Sequence, residues 1–245
     1  MQDYKQVVET RYNHTADAHP YTNPYSIYNP IGYQADKALR KEIHSFMMWL
    51  KKNGVDIPTT SFLDIGCGGG YFTQIVSTYK NTTTDIVGID YSQARIALAQ
   101  TLNPAIQYTV GDLTALPPLL KKFDVISTFD VFMHLKEKKD IQKALNEIKK
   151  TLAHNGYFLW YDANATSHYI SNKHDQSKGF SKKEMIELCA AAGFISVYQR
   201  SMFTFWFFKI HSLYLHKHLP AWLVAIIETM LPGPAGNYLL VFKQK

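Results

Sequence analysis

Residues 61–73 read SFLDIGCGGGYFT, a short apolar run that carries one carboxylate and ends in four glycines within five positions. A strand needed only for packing has no use for Asp64, and a helix would not survive Gly66, Gly68, Gly69 and Gly70. The pattern predicts a buried strand ending in a turn whose backbone approaches a ligand closely. Gly-x-Gly alone serves several cofactors, and the dinucleotide fingerprint wants a third glycine where this chain has Tyr71. A second carboxylate sharpens the picture. Asp90 ends the next apolar run, TDIVGID, where a ribose diol can donate two hydrogen bonds to it.

Regular elements must hold that turn in place. Leu39, Ile43, Phe46, Met47 and Leu50 recur at helical spacing within residues 35–53, and Gly54 can close the helix. From Ser61 onward, short apolar runs at 84–90, 106–112, 123–129, 156–162, 194–200 and 237–243 join the first to give seven candidate strands. Helices fall between them: one that Ser92 can cap, one over 138–152, and one opened by a Ser181–Glu184 capping box and stopped at Gly193. Alternating strands and helices imply an α/β fold with a parallel sheet covered on both faces and ligands at the carboxyl ends of the strands. One domain over 1–245 is expected: a lid or helical region at 1–60, a ligand-binding core at 61–200, an apolar insertion at 201–236 and a last strand at 237–245.

At these residues the chain resembles the class I S-adenosylmethionine-dependent methyltransferases, in their small-molecule branch. LDIGCGGG matches the family's first motif and GID at 88–90 the acidic residue after the second strand. VGDLTALP at 110–117 is similar to the third-strand segment, FDVISTFDVFMHL to the fourth and LAHNGYFLW to the fifth. The resemblance implies a Rossmann-like three-layer sandwich whose seven-stranded, mostly parallel sheet has an antiparallel last strand, with S-adenosyl-L-methionine as cofactor. It implies that Gly66, Cys67, Gly68 and Gly70 pass beside the methionine part, with Asp64 nearby. It implies that Asp90 takes the ribose hydroxyls, Tyr91 flanks the adenine, Asp112 and Leu113 hold the adenine edge, and Phe129 packs beneath. Each position also has a plain structural alternative. Asp64 and Asp90 can be strand-end carboxylates, Asp112 the head of a turn, Phe129 core, and Cys67 a small residue that fits the turn without reactivity.

Methyl transfer from a sulfonium is mainly a matter of alignment, worth up to about 7–11 kcal/mol. A hydroxyl acceptor also needs a base, and an amine must be neutral. Beyond the fourth and fifth strands the candidate bases are Asp130, His134, Asp162 and His168. His134 is equally placed to cap the following helix, and Asp162 and His168 flank the polar loop YDANATSHYISNKHD. Tyr12, Tyr21, Tyr25, Tyr28 and Tyr33 sit in an N-terminal stretch that reads as a lid over the acceptor or as a loop on the sheet edge. The expected activity is O-methylation of a small molecule, a saccharide or lipid-linked intermediate. The alternatives are an aromatic natural product as acceptor, or a protein that binds the cofactor without catalysis.

Composition bounds the rest. With 46% hydrophobic and 19% charged residues over 245 positions, the chain is globular rather than disordered. The polar start MQDYKQVVETRYNH predicts no secretory signal, and no apolar run reaches the 18 residues of a spanning helix. Cys67 and Cys189 make neither a zinc cluster nor a disulfide framework, so no metal is expected and the compartment reads as cytoplasmic. The N-x-T triplets at Asn13, Asn81 and Asn164 then carry no meaning for glycosylation. A net charge of +6 comes from scattered lysine pairs on solvated faces. TNPY at 22–25 lacks a proline of the N-P-P-Y motif found in amino-methylating nucleic-acid enzymes, and no basic stripe is visible, so a nucleic-acid partner is not expected. Segment 203–231 reads either as a helical cover for the sheet or as an element lying at a membrane surface. It carries Trp206 and Phe207, then Lys209, His211, His216, Lys217 and His218 between two apolar parts. The oligomeric state is not legible.

Overall fold

The computed structural model describes residues 30–165, 179–204, 218–230 and 235–245. Tyr12, Tyr21, Tyr25, Tyr28, the TNPY tetrapeptide, His168, Trp206, Phe207, Lys209, His211, His216 and Lys217 lie outside them, as does the side chain of Tyr33.

Seven strands build one sheet: β1 (Phe62–Ile65), β2 (Ile86–Asp90), β3 (Gln107–Val110), β4 (Phe123–Phe129), β5 (Leu152–Ala163), β6 (Phe194–Thr204) and β7 (Ala235–Gln244). Their order is 3-2-1-4-5-7-6. The pairs among β1 to β5 are parallel, and β7 runs antiparallel to both β5 and β6, as expected of the last strand. A strand covered on both faces must be apolar on both, and all four residues of β1 are buried.

Six helices are described: α1 (Pro30–Lys52), α2 (Tyr71–Ser77), α3 (Gln93–Leu102), α4 (Lys138–Thr151), α5 (Lys182–Ala191) and α6 (Ala221–Met230), with a 3₁₀ turn over Phe132–His134. Two apolar layers flank the sheet. On one face Ile43, Phe46, Met47 and Leu50 of α1 pack with Ile75 and Val76 of α2 and Ile96 of α3. On the other, Ile141, Leu145 and Ile148 of α4 pack with Met185 and Cys189 of α5. Strand β5 shows the period of two directly, with Tyr157, Leu159 and Tyr161 in the first layer and Phe158 and Trp160 in the second.

Local signals set the helix ends. Ser92 accepts the Arg95 N–H at 3.3 Å and Ser181 the Glu184 N–H at 3.1 Å, and Gly193 takes φ +88° just past α5. Bounds differ where tertiary pairing decides. β5 reaches back to Leu152 through a register shift against β4, and the β6–β7 ladder continues to Thr204 and Ala235. The segment between those two strands is therefore 205–234, shorter than the 201–236 expected. No helix among the described residues is long and apolar enough to cross a membrane.

Candidate active site

The strand order reverses between β1 and β4, which are neighbours, while β2 leaves on one side and β5 on the other. The carboxyl ends of β1, β2, β4 and β5 therefore surround a crevice, the position where open α/β sheets bind ligands. The described candidate residues follow the carboxyl ends of β1 to β5 or lie in those strands, with Leu113 buried in the second apolar layer.

The glycine-rich turn leaves β1 and enters α2. Gly66, Gly68 and Gly70 have φ of +76°, +52° and +84°, a region that L side chains rarely adopt. Their surroundings separate their reasons. A Cβ on Gly66 would stand 2.2 Å from Val131 Cγ2, and one on Gly70 would stand 2.6 Å from the Tyr108 hydroxyl. A Cβ on Gly68 would meet nothing within 4 Å. Two glycines thus let Val131, just past β4, and Tyr108 of β3 press against the turn, and the middle one leaves open space above it. Sequence reading had no signal for Val131 or Tyr108, because both contacts join residues far apart in the chain.

Asp64 is buried beneath this turn. It is 3% exposed and its Oδ1 accepts the Ser127 hydroxyl of β4 at 2.7 Å. Burial pushes its carboxyl up to about 7, with the Ser127 hydrogen bond opposing and the Asp90 charge adding. Asp90 closes β2 and reaches over. Its Oδ2 accepts the Gly68 N–H at 2.8 Å and its Oδ1 the Ser92 N–H at 2.9 Å. Burial raises it too, against those backbone hydrogen bonds. Each oxygen retains acceptor capacity, and the neighbouring Tyr91 is 42% exposed. Cys67 is buried with its thiol pushed up chiefly by burial, so it is no nucleophile.

At the third strand Asp112 heads a turn. Its Oδ1 accepts both the N–H and the hydroxyl of Thr114, at 2.8 and 2.9 Å. Leu113 is 6% exposed, its side chain in the second apolar layer. Phe129 ends β4 between two rings, with centroids 4.5 Å from Phe72 and 5.2 Å from Tyr161.

Past β4 the chain turns sharply. Asp130 takes φ +53°, the one left-handed residue other than glycine among those described, and its N–H donates to the Tyr161 carbonyl at 2.9 Å. Asp162, next along β5, is fully buried and accepts the Met133 N–H at 3.3 Å. His134 closes the 3₁₀ turn and is half-buried; α4 starts later, with Glu137 in the cap position, so His134 does not cap it. Asp130, His134 and Asp162 thus come together at one end of the sheet. Across the crevice, Tyr71 opens α2 and donates its hydroxyl to Asp36 of α1 at 2.7 Å, and Arg40 Nε meets the other oxygen of Asp36 at 2.8 Å.

Comparisons with known proteins agree with this architecture. A family model described as "Methyltransferase domain" matches residues 63–160, and one described as "Protein-L-isoaspartate(D-aspartate) O-methyltransferase" matches residues 5–105. A probable S-adenosylmethionine-dependent methyltransferase of Mycolicibacterium smegmatis is 29% identical over 97 residues, 40% of this chain and 35% of that protein. A ubiquinone biosynthesis O-methyltransferase of Pelagibacter ubique is 28% identical over 120 residues, 48% of each chain. The chain thus spans half or less of the length of these relatives. Among solved structures, magnesium protoporphyrin IX methyltransferase from Synechocystis with bound SAM superimposes with a TM-score of 0.65 at 14% identity, covering 100% of this chain and 99% of that one. The [4+2]-cyclase SpnF gives 0.55 at 18% identity over 76% and 75% of the two chains.

Proposed function

For a chain that belongs, through residues 63–160, to the class I S-adenosylmethionine-dependent methyltransferases, we propose methyl transfer from S-adenosylmethionine to a hydroxyl of a small molecule. The observation that carries the reading is the turn over 66–70 tied to Asp90 through the Gly68 N–H, with open space above Gly68. That arrangement fits the cofactor: a backbone that a ligand can approach, and a carboxylate with spare acceptor sites beside it. Gly68, Gly70 and Cys67 would line the methionine part with Asp64 supporting the turn from below, and Asp90 would accept the ribose hydroxyls. Tyr91, Asp112, Leu113 and Phe129 would surround the adenine and the floor.

The bound cofactor supplies an electrophilic methyl group on a sulfonium. The chain's own part is to align the acceptor, exclude water and take a proton. Asp130, His134 and His168 are the bases proposed for that step. The ubiquinone biosynthesis O-methyltransferase among the relatives favours oxygen as the atom methylated. A saccharide or lipid-linked acceptor remains the preferred class, with an aromatic one second. Peripheral contact with a membrane through 203–231 is part of the proposal, since Trp222, Ile226 and Met230 recur every fourth residue of α6 and are 64%, 43% and 75% exposed.

Calorimetry tests the core of this reading. The protein should bind S-adenosylmethionine and its demethylated product in the micromolar range, about −8 kcal/mol. Binding of NAD in their place, or of neither, would refute it.

A further inference from the structure

We propose that Tyr108 of β3 is a positioning residue for the cofactor. Its hydroxyl holds the glycine-rich turn in its binding shape through a relay that runs from Tyr108 to Thr73 to the Gly70 carbonyl. The inference rests on the methyltransferase reading and ties to that site a side chain that lies beneath the turn and touches no ligand.

The sheet places Tyr108 there. Ser127, Asp64, Gly88 and Tyr108 are successive register partners, one row across β4, β1, β2 and β3. Tyr108 is 6% exposed. A Cβ on Gly88 would stand 2.5 and 2.6 Å from atoms of its ring and 2.9 Å from Cys67 Sγ, so the ring occupies the space that a side chain on β2 would need. At the end of the ring, the hydroxyl stands 2.6 Å from where a Cβ on Gly70 would be. Asn103 Nδ2, from the C-cap of α3, stands 3.1 Å from the same point. Glycines on two separate segments thus make room for one tyrosine.

The direction of the relay follows from the protons available. Thr73 of α2 is fully buried, with its Oγ1 2.9 Å from the Gly70 carbonyl and 2.6 Å from the Tyr108 hydroxyl. A carbonyl only accepts, so Thr73 gives its one proton to Gly70 and receives that of Tyr108. Gly70 is the N-cap of α2 and has no side chain to cap it with. Its carbonyl is held instead by the Thr73 hydroxyl and by the Gln74 N–H at 3.0 Å. This fixes the far end of the turn whose middle N–H, that of Gly68, meets Asp90. Phenylalanine would fill the seat beside Gly88 and Cys67 as well as tyrosine does; only the hydroxyl reaches the turn. Because the relay ends on the turn and not on Asp90, it acts on the methionine part of the ligand and not on the ribose.

The test is calorimetry on the full-length protein as wild type, Tyr108→Phe, Thr73→Val and the double variant. The ligands are S-adenosylmethionine, S-adenosylhomocysteine and methylthioadenosine, which keeps the adenine and ribose but lacks the amino-acid part. Each substitution removes one hydroxyl and keeps the shape of the side chain, and the Gly70 carbonyl retains Gln74, so circular dichroism should stay native. Affinity for the first two ligands should fall about 3–10-fold, the worth of one hydrogen bond. The loss should be the same in both single variants and in the double, because each breaks one chain. Methylthioadenosine should bind all four proteins equally. Unchanged S-adenosylmethionine affinity in Tyr108→Phe, an equal loss for methylthioadenosine, or additive losses in the double variant would overturn the relay. A wild type that binds none of the three ligands would instead sink the methyltransferase reading. Amide exchange of Gln74 in the free protein decides the relay in that case: it should quicken about 3–10-fold in both single variants, and exchange at the wild-type rate would overturn it.

Discussion

Replacing Gly66 by alanine is the sharpest test of how the turn is held. The new Cβ would stand 2.2 Å from Val131 Cγ2 and 3.3 Å from both Val131 Cβ and Cγ1. Those are atoms of a short, β-branched side chain with no far end to swing away. Overpacking of this kind costs about 1–3 kcal/mol, and the left-handed φ of +76° adds about 1–2 kcal/mol for an L residue. The sum, about 2–5 kcal/mol, is a large share of the roughly 5–15 kcal/mol that holds a domain together. Gly68→Ala carries the conformational part alone, because nothing lies within 4 Å of its Cβ. Urea unfolding of both variants, with unchanged m values, should therefore rank Gly66→Ala below Gly68→Ala by about 1–3 kcal/mol. Adding Val131→Ala to Gly66→Ala should recover that difference as a favourable coupling in a double-mutant cycle. Equal stabilities for the two alanine variants, or a coupling near zero, would refute the claim that Val131 dictates Gly66.

Four further outcomes follow from the same geometry. Asp90→Ala should weaken S-adenosylmethionine binding about a hundredfold or more by calorimetry, since two hydroxyl donors lose a charged acceptor worth about 1.5–3 kcal/mol each. Gly68→Val should abolish binding while circular dichroism stays native, because its side chain points into the open space above the turn. Asp64, whose folded carboxyl sits at about 7 against an ordinary 3.8, binds its proton more tightly when folded. Its contribution to stability is full below pH 4 and is lost as pH rises towards 7, by up to about 1.4 kcal/mol per unit, so Asp64→Asn should flatten the stability–pH slope in that window. A membrane-surface role for 203–231 requires sedimentation with anionic liposomes, release by salt, and loss on converting Trp206 and Phe207 to serine; protein left in the supernatant at low salt excludes it.

What the sequence discloses and what it hides divide along physical lines. The caps at Ser92 and Ser181 and the alternation in GYFLWYD are legible because each is a local pairing of a side chain with its own backbone or face. The seven strands and the antiparallel β7 followed from the same periodicities together with the family resemblance. The turn from 66 to 70 announced glycine but not which neighbour each glycine admits, since Val131 comes from the turn after β4 and Tyr108 from β3. Spacing alone does not say on which side of the turn the Asp64 carboxylate falls; Ser127, its register partner on β4, holds it buried. Asp130 and Asp162 were separate candidates in the sequence, and only the β4–β5 register makes them neighbours.

The bond from Tyr71 to Asp36, with His44 Nδ1 3.0 Å from the Tyr79 hydroxyl just past the end of α2, fastens this segment to the long helix α1. The first residue after the glycine-rich turn is therefore anchored by a helix that contributes nothing to the turn's own sequence. Whatever stiffens the turn must stiffen α1, and by reciprocity whatever loosens α1 must loosen the turn. Amide protons along Asp36–His44 should then exchange more slowly when the crevice is filled, and Asp36→Ala should loosen ligand binding although the glycine-rich turn and Asp90 are unchanged.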